Sequence, residues 1–539
     1  MASSSSFLLK AILVISLLHF IKASSFNIST PSASPSLKTH LTNIKSLCKN
    51  TPYPDTCFNS MKLSISININ PNILNYLLQS LQTALSEASK LSNLFYDANT
   101  ATGIVENQKG TLQDCKELHQ ITVSSLKKSV SRLHSSKQSG VAAYLSAALT
   151  NKNTCLEGLE SASGPLKPKL VSSTVEAYKH VSNSLSILAG SRPAGGNNRR
   201  RLLGFPTWMS KEDRRVLEGS DDEYDPGSIL TVAADGSGNF TTISDAISFA
   251  PNNSMDRIII LVKEGVYLEN VAIPSYKTNV VLLGDGSEVT VIRGNRSVGD
   301  GWTTFRSATV AVSGDGFLAR DISFENTAGP SKHQAVALRV NGDLAAIYRC
   351  TIDGYQDTLY VHSFRQFYRE CDIFGTVDFI FGNAAVIFQG CNIVAKKPMR
   401  GQFNAITAQS RDDEYEVTGI SIQNCSILAS EDLSSDIDSV KSYLGRPWKV
   451  YSRTVYIESY IDQFIDPAGW TEWSGDQGLD TLYYGEYSNS GPGSVTDYRV
   501  TWPGFHVMDY YDALNFTVSD FIAGDEWLES TSFPYDDGI

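Results

Sequence analysis

Gln334, Gln356 and Asp378 stand 22 residues apart, and Asp357 follows Gln356. Two carboxylates and two side-chain amides brought onto one patch could carry out acyl chemistry. One acid would attack, the other would move a proton, and the amides would donate hydrogen bonds to a developing oxyanion. That chemistry needs elements that bring equivalent positions of successive repeats together.

A second series runs in step with the first: Cys350-Thr351-Ile352, Cys371-Asp372-Ile373, Cys391-Asn392-Ile393 and, after a longer insert, Cys425-Ser426-Ile427. Repeats near 20 residues, made of short apolar β-prone runs broken by Gly, Asn and Asp, predict a solenoid. They are too short for β-α-β units, so the coils of a parallel β-helix fit better. Residues one coil apart then stack about 4.8 Å apart. Gln334, Gln356 and Asp378 are expected to form a vertical ladder, with Asp357 beside its middle rung.

The rest of the 539 residues divides by charge and pattern. Residues 1–201 carry 21 Lys+Arg against 9 Asp+Glu, and residues 202–539 carry 24 against 48. Two parts of opposite sign should attract each other. The basic charges are scattered between apolar positions, which argues against nucleic acid as a partner. Residues 1–24 read as a signal peptide: Lys10, an apolar run from Ala11 to Ile21, then the small Ala23 and Ser24. No later stretch is long and apolar enough to span a bilayer, so no membrane partner is expected once that segment is removed. Eight cysteines in local groups and sequons at Asn27, Asn239, Asn252, Asn295, Asn424 and Asn515 fit a secreted glycoprotein.

Residues 25–190 predict an all-α four-helix bundle, with Leu74, Leu78, Leu81, Leu85, Ala88 and Phe95 at helical spacing and Val175, Tyr178, Val181, Leu185 and Leu188 in a later helix. Cys48–Cys57 and Cys115–Cys155 are the pairings expected there. His119 and His134 are isolated and read as surface or packing residues. Residues 191–225 form a linker in which Arg200, Arg201, Arg214 and Arg215 mark dibasic sites for a processing protease. Strands begin near Ile229, so residues 226–539 form the β domain. Gly236-Ser237-Gly238 suggests a phosphate loop, but no Lys follows in the required place. No His/Cys/carboxylate cluster suggests a metal, and no cofactor is expected.

Five motifs carry a resemblance: GVYLEN at 265–270, QAVALR at 334–339, GYQDTLY at 354–360, GTVDFIFGNA at 375–384 and YLGRPW at 443–448. In these residues the chain resembles the plant pectin methylesterases, or pectinesterases. The helical part, with QDCKEL at 113–118, resembles the inhibitor-like pro-region of that family's longer members. The resemblance implies a right-handed parallel β-helix. It places the nucleophile on Asp378, the acid/base on Asp357 and the oxyanion amides on Gln356 and Gln334. It also implies that Arg446 holds the nucleophile, Trp448 lines the sugar cleft, and Thr304, Tyr360 and Phe381 touch substrate. It further implies a Cys391–Cys425 bridge. The family's other bridge runs from the position of Cys350 towards Ser323, which is not cysteine here, so Cys350 is assigned to Cys371.

The implied substrate is methylesterified homogalacturonan, and the implied products are de-esterified pectin and methanol in the cell wall. The implied partners are the chain's own pro-domain, separate inhibitor proteins and a processing protease. Arg446 should lower the pKa of Asp378, and the charge of Asp378 should raise that of Asp357. The acidic β domain should repel de-esterified product and favour esterified stretches. Spacing alone leaves bland roles open: a turn carboxylate at Asp378, an internal amide ladder, a surface ion pair at Arg446, a packing role at Trp448. Other readings are a polygalacturonase or lyase on the same fold, or a non-catalytic inhibitor or pectin-binding protein.

Overall fold

The structure is a computed structural model that describes residues 35–63, 72–100, 103–134, 140–191 and 229–539. The signal segment, Asn27 and the linker arginines at 200, 201, 214 and 215 lie outside these residues.

The first part is helical: α1 (Pro35–Cys48), α2 (Pro54–Leu63), α3 (Ile73–Thr100), α4 (Thr111–His134), α5 (Val141–Ser161) and α6 (Lys167–Gly190). The four long helices α3 to α6 pack as a bundle. The buried stripe of α3 is Leu77, Leu81, Ala84, Ala88, Leu91 and Phe95, while Leu74 and Val175 face outward. A disulfide joins Cys48 to Cys57, tying α1 to α2, and another joins Cys115 to Cys155, tying α4 to α5. His119 is a packing residue: its Nε2 lies 2.9 Å from the carbonyl of Ala88, and burial pushes its pKa down to about 4. Helix α5 departs from an amphipathic pattern, since every residue from Val141 to Asn151 is buried. A helix apolar all round must be covered all round, and α5 lies between the bundle core and the second part of the chain. Tyr144 of this helix meets the Phe364 ring at 6.2 Å, and Thr150 accepts a bond from Asn383 at 2.9 Å.

The second part is a parallel β-helix. Its strands run from Leu230 to Val507 and form three all-parallel sheets of eleven, seven and eight strands. One inward column shows why these residues make coils. Phe324, Ile352, Ile373, Ile393 and Ile427 stack in register and are fully buried. Each such apolar side chain gains about 1.5–3 kcal/mol on burial, and each rung supplies the apolar wall of the next. Apolar Val518, Ile522, Trp527 and Leu528 near the C-terminus cover the outer face of the eleven-stranded sheet.

The cysteines of the coils depart from expectation. Cys350, Cys371, Cys391 and Cys425 are four buried free thiols, so the bridges expected between Cys350 and Cys371 and between Cys391 and Cys425 are absent. Each lies two residues before a stacked Ile and points inward with it. In-register stacking holds neighbouring Cβ atoms near the strand spacing of about 4.8 Å, whereas a disulfide draws them to about 3.8 Å. The sulfurs instead accept backbone bonds along the column, from Cys371 N to Cys391 Sγ and from Cys391 N to Cys425 Sγ, each at 3.4 Å. Unreduced protein should therefore show no thiols to a colourimetric thiol reagent when native, and four after denaturation. A count of zero after denaturation would mean that the column is bridged.

Candidate active site

The seven-stranded sheet carries the site. Its strands lie in the order Val271–Ile273, Val310–Val312, Leu338–Val340, Leu359–Val361, Ile380–Gly382, Asn404–Gln409 and Ser442–Gly445. Ala311, Arg339, Tyr360, Phe381 and Ala408 stand in register across five of them. This row is the floor of a groove. Tyr360 and Phe381 stack at 4.1 Å between ring centroids, and Trp448 stacks on Trp473 at 6.2 Å further along.

The two acids enter this sheet from the turns before two neighbouring strands. Leu359 pairs with Ile380, and the amide of Asp357 donates to the carbonyl of Val377 at 3.0 Å. The coil is therefore 21 residues here, and Asp357 stacks on Asp378. The ladder expected from the 22-residue spacing is corrected: Ala335, not Gln334, lies against Gln356. All four residues nevertheless line one cavity of about 370 Å³, together with Thr304, Tyr360, Phe381, Arg446 and Trp448. Asp357 and Asp378 both hold left-handed backbone, at φ 62° and 52°. This conformation is uncommon for residues with a side chain, and Asp tolerates it better than most. Gly382 follows at φ 127°, where a Cβ would strike the carbonyl of Val361.

Arg446 grips Asp378 with two bonds, Nε to Oδ1 at 2.8 Å and a terminal nitrogen to Oδ2 at 2.6 Å. Its guanidinium lies 4.2 Å from the ring centre of Trp473, which fixes it further. Burial raises the pKa of Asp357 well above the carboxylate range, the charge of Asp378 adds to this, and Arg446 opposes it. Burial also raises Asp378, against the two bonds from Arg446. The expected net lowering of Asp378 is thus corrected, because loss of water outweighs the guanidinium. The order of the pair is unchanged. The acid bonded to the cation ionises first, and its charge keeps the proton on Asp357. His362, beside Tyr360, is held well below its usual pKa by burial and by Arg339, and is neutral.

The groove is roofed by the bundle. Leu118 of α4 is fully buried against Phe305, Tyr360 and Phe381. Asp114 takes bonds from Thr303 Oγ1 and Arg306 Nε, both at 2.5 Å, and Glu117 takes one from Arg306 at 2.7 Å. Glu157 of α5 pairs with Lys449 at 2.6 Å, and Thr154 lies 3.0 Å from His362 Nε2. Burial lifts the carboxyl of Asp114 to about 6, against the pull of Arg306. Sequence reasoning did not single out Thr303, Arg306, Arg339, Lys449, Trp473 or these bundle acids. The signal was present in motifs already quoted, since Asp114 and Glu117 lie in QDCKEL and Lys449 follows YLGRPW.

Among the described residues no group of His, Cys, Asp and Glu has the arrangement of a metal site, and no helix is long and apolar enough to cross a membrane.

Residues 229–525 match the Pectinesterase family model, and residues 42–187 match the model described as plant invertase/pectin methylesterase inhibitor. A probable pectinesterase/pectinesterase inhibitor 12 of Arabidopsis thaliana is 66% identical over 96% of this chain and all of its own length. A pectinesterase/pectinesterase inhibitor of Ficus pumila var. awkeotsang is 45% identical over 95% of this chain and 94% of its own. Among solved structures, a carrot pectin methylesterase is 54% identical with a TM-score of 0.58, covering 59% of this chain and all of that one. An Aspergillus niger pectin methylesterase is 34% identical with a TM-score of 0.50, covering 57% and 97%.

The grip of Arg446 sets one expected outcome. Removing an opposite charge bonded to a carboxylate raises its pKa by about 1–3 units. In Arg446→Gln, ionisation of the Asp357–Asp378 pair, followed by difference infrared spectroscopy of the carboxyl bands against an Asp357→Asn, Asp378→Asn double variant, should begin at least about one pH unit higher than in the unaltered protein. An unchanged onset would show that the guanidinium does not hold the charge.

Proposed function

The chain belongs to the pectinesterase family, with an inhibitor-like helical part before the catalytic fold, and from this premise we propose that it hydrolyses C6 methyl esters of galacturonate units in pectin through Asp378 and Asp357. The observation that carries the assignment is the bidentate Arg446–Asp378 pair with Asp357 one rung away and bonded to no cation among the described residues. It separates a charged acid from a protonated one in a cavity that also holds two side-chain amides.

The reaction follows from those states. Ionised Asp378 attacks the ester carbonyl carbon, and the carbonyl electrons move to oxygen. Gln334 and Gln356 donate amide N–H groups to that oxyanion. Collapse expels methoxide, which takes the proton of Asp357 and leaves as methanol, giving an anhydride between Asp378 and the sugar acid. Asp357, now ionised, takes a proton from water as its oxygen attacks the anhydride. The second collapse frees the galacturonic acid and restores ionised Asp378 beside protonated Asp357.

Access to the groove is the second part of the proposal. Thr154, Glu157 and Asp114 stand on the wall of the cavity that substrate must enter. We infer that the bundle blocks this groove until a protease cuts the linker at 191–225, at Arg200–Arg201 or Arg214–Arg215. The signal-like start, the sequons and a wall polymer as substrate support secretion to the cell wall. Of the sequons, Asn239, Asn252, Asn295, Asn424 and Asn515 are exposed. Separate inhibitor proteins of the same helical family would compete for the same groove.

Methanol release from highly methylated pectin tests the reading. The intact chain should be nearly silent, and the chain cut between residues 192 and 228 should be active. Asp378→Asn suits the left-handed backbone and should abolish the rate. Gln356→Ala should lower kcat about 10²–10³-fold, as loss of an oxyanion donor does. No methanol from a cut, folded chain would overturn the assignment.

The pH profile of the cut chain supplies a separate check. Activity should fall on the acid side as Asp378 gains a proton and on the alkaline side as Asp357 loses one. The Asp378 charge that raises Asp357 stays when the bundle leaves, so the alkaline limb should lie above the ordinary carboxylate range near 4. An alkaline limb at or below that range would contradict the coupled pair.

A further inference from the structure

We infer that Arg306 and Lys449 are subsites for the free carboxylates of de-esterified galacturonate units on either side of the acid pair, and that bundle carboxylates occupy them in the intact chain. The inference rests on the pectinesterase reading and adds to it which sugars the flanking positions take.

Arg306 stands just before the strand Val310–Val312, and Lys449 just beyond the strand Ser442–Gly445. In the sheet order these strands lie two places outside the strands that follow Asp357 and Asp378. The carboxylates bonded to the two cations, Asp114 and Glu157, both line the cavity that holds Asp357 and Asp378, so both cations face the groove of the reacting centre.

Among the described residues, each carboxylate bonded to these cations comes from the bundle: Asp114 and Glu117 on Arg306, and Glu157 on Lys449. Behind Arg306, the buried Arg339 lies 4.0 Å from Glu117, and its Nε has no hydrogen-bond partner among the described residues. When the bundle leaves, the groove keeps its cations and loses their anions. A neutral methyl ester offers such a cation only a weak acceptor, whereas a galacturonate carboxylate forms a charge-assisted bond. The acidic bulk of the β domain does not overrule this, because its charges are screened beyond about 8 Å while these contacts are direct.

The same side chains thus face two alternative anions, one on helices α4 and α5 and one on the polymer. The test uses the full chain, cut between residues 192 and 228 with both pieces retained. A fully de-esterified galacturonate oligomer is titrated by calorimetry, with an amidated oligomer as a neutral, uncleaved control, while size exclusion follows release of the bundle. The acidic oligomer should displace the bundle and bind less tightly as salt rises. With the bundle's own affinity measured in each variant and taken out of the competition, Arg306→Gln and Lys449→Gln should each weaken the acidic oligomer about fivefold and leave the amidated one within about twofold, and Lys449→Arg should restore binding. Equal loss for both oligomers, or no loss for either, would overturn the inference. Should Arg306→Gln fail to fold, Lys449→Gln decides alone, since the lysine side chain is a quarter exposed. Binding is read without turnover, so the two readings fail separately. Charge-dependent binding with no methanol would sink only the esterase reading, and methanol with charge-independent binding only this one.

Discussion

In-register parallel stacking is the constraint on which the rest of this structure depends. Where coils stack in register, whether 20 or 34 residues apart, equivalent positions meet one strand spacing away. Apolar positions become continuous columns, as from Phe324 to Ile427. The same rule keeps four cysteines as thiols, because stacking that suits hydrogen bonds between strands is too wide for a disulfide. It also sets two acids, Asp357 and Asp378, on adjacent rungs, where like charges would repel.

That repulsion is what divides their labour. Two buried carboxylates one rung apart cannot both be charged at modest cost. Arg446, which reaches back from a later coil, breaks the symmetry by bonding only Asp378. Asp357 is left with burial and a neighbouring anion, both of which favour its proton. Under the proposed mechanism those resting states are the ones that the first step consumes and the second restores. Under that proposal the fold prepares a nucleophile and an acid from the same residue type.

Much of this was legible in the sequence, for physical reasons. Period and pattern gave the solenoid, since Cys-x-Ile at matched spacing has one inward-facing solution. The residues of the cavity were legible through motifs. The register was not: a spacing of 22 between amides and acid suggested one column, but the strand pairing is 21 and aligns the two acids instead. Nor was the net direction at Asp378, because burial depends on the roof supplied by a different part of the chain. The contacts of that roof were the hardest to see. Asp114 and Glu117 sit about 190 residues from Arg306 in sequence, and no local pattern pairs them.

Charge at two scales then explains how one bundle can both seek and seal the groove. Residues 1–201 are basic as a whole and residues 202–539 acidic, so the parts attract over distance. Over the groove the signs reverse: acidic Asp114, Glu117 and Glu157 meet basic Arg306 and Lys449, while outside it Lys128 of α4 meets Asp315. A bundle that was basic at every point would be held by the domain but repelled from the groove. One acidic throughout would suit the groove but be pushed away by the domain. The arrangement seen satisfies both, and it places on the bundle the charge that a de-esterified polymer would bring. Under the subsite inference, release of the bundle and entry of the polymer are an exchange of anions over the same cations, not two unrelated events.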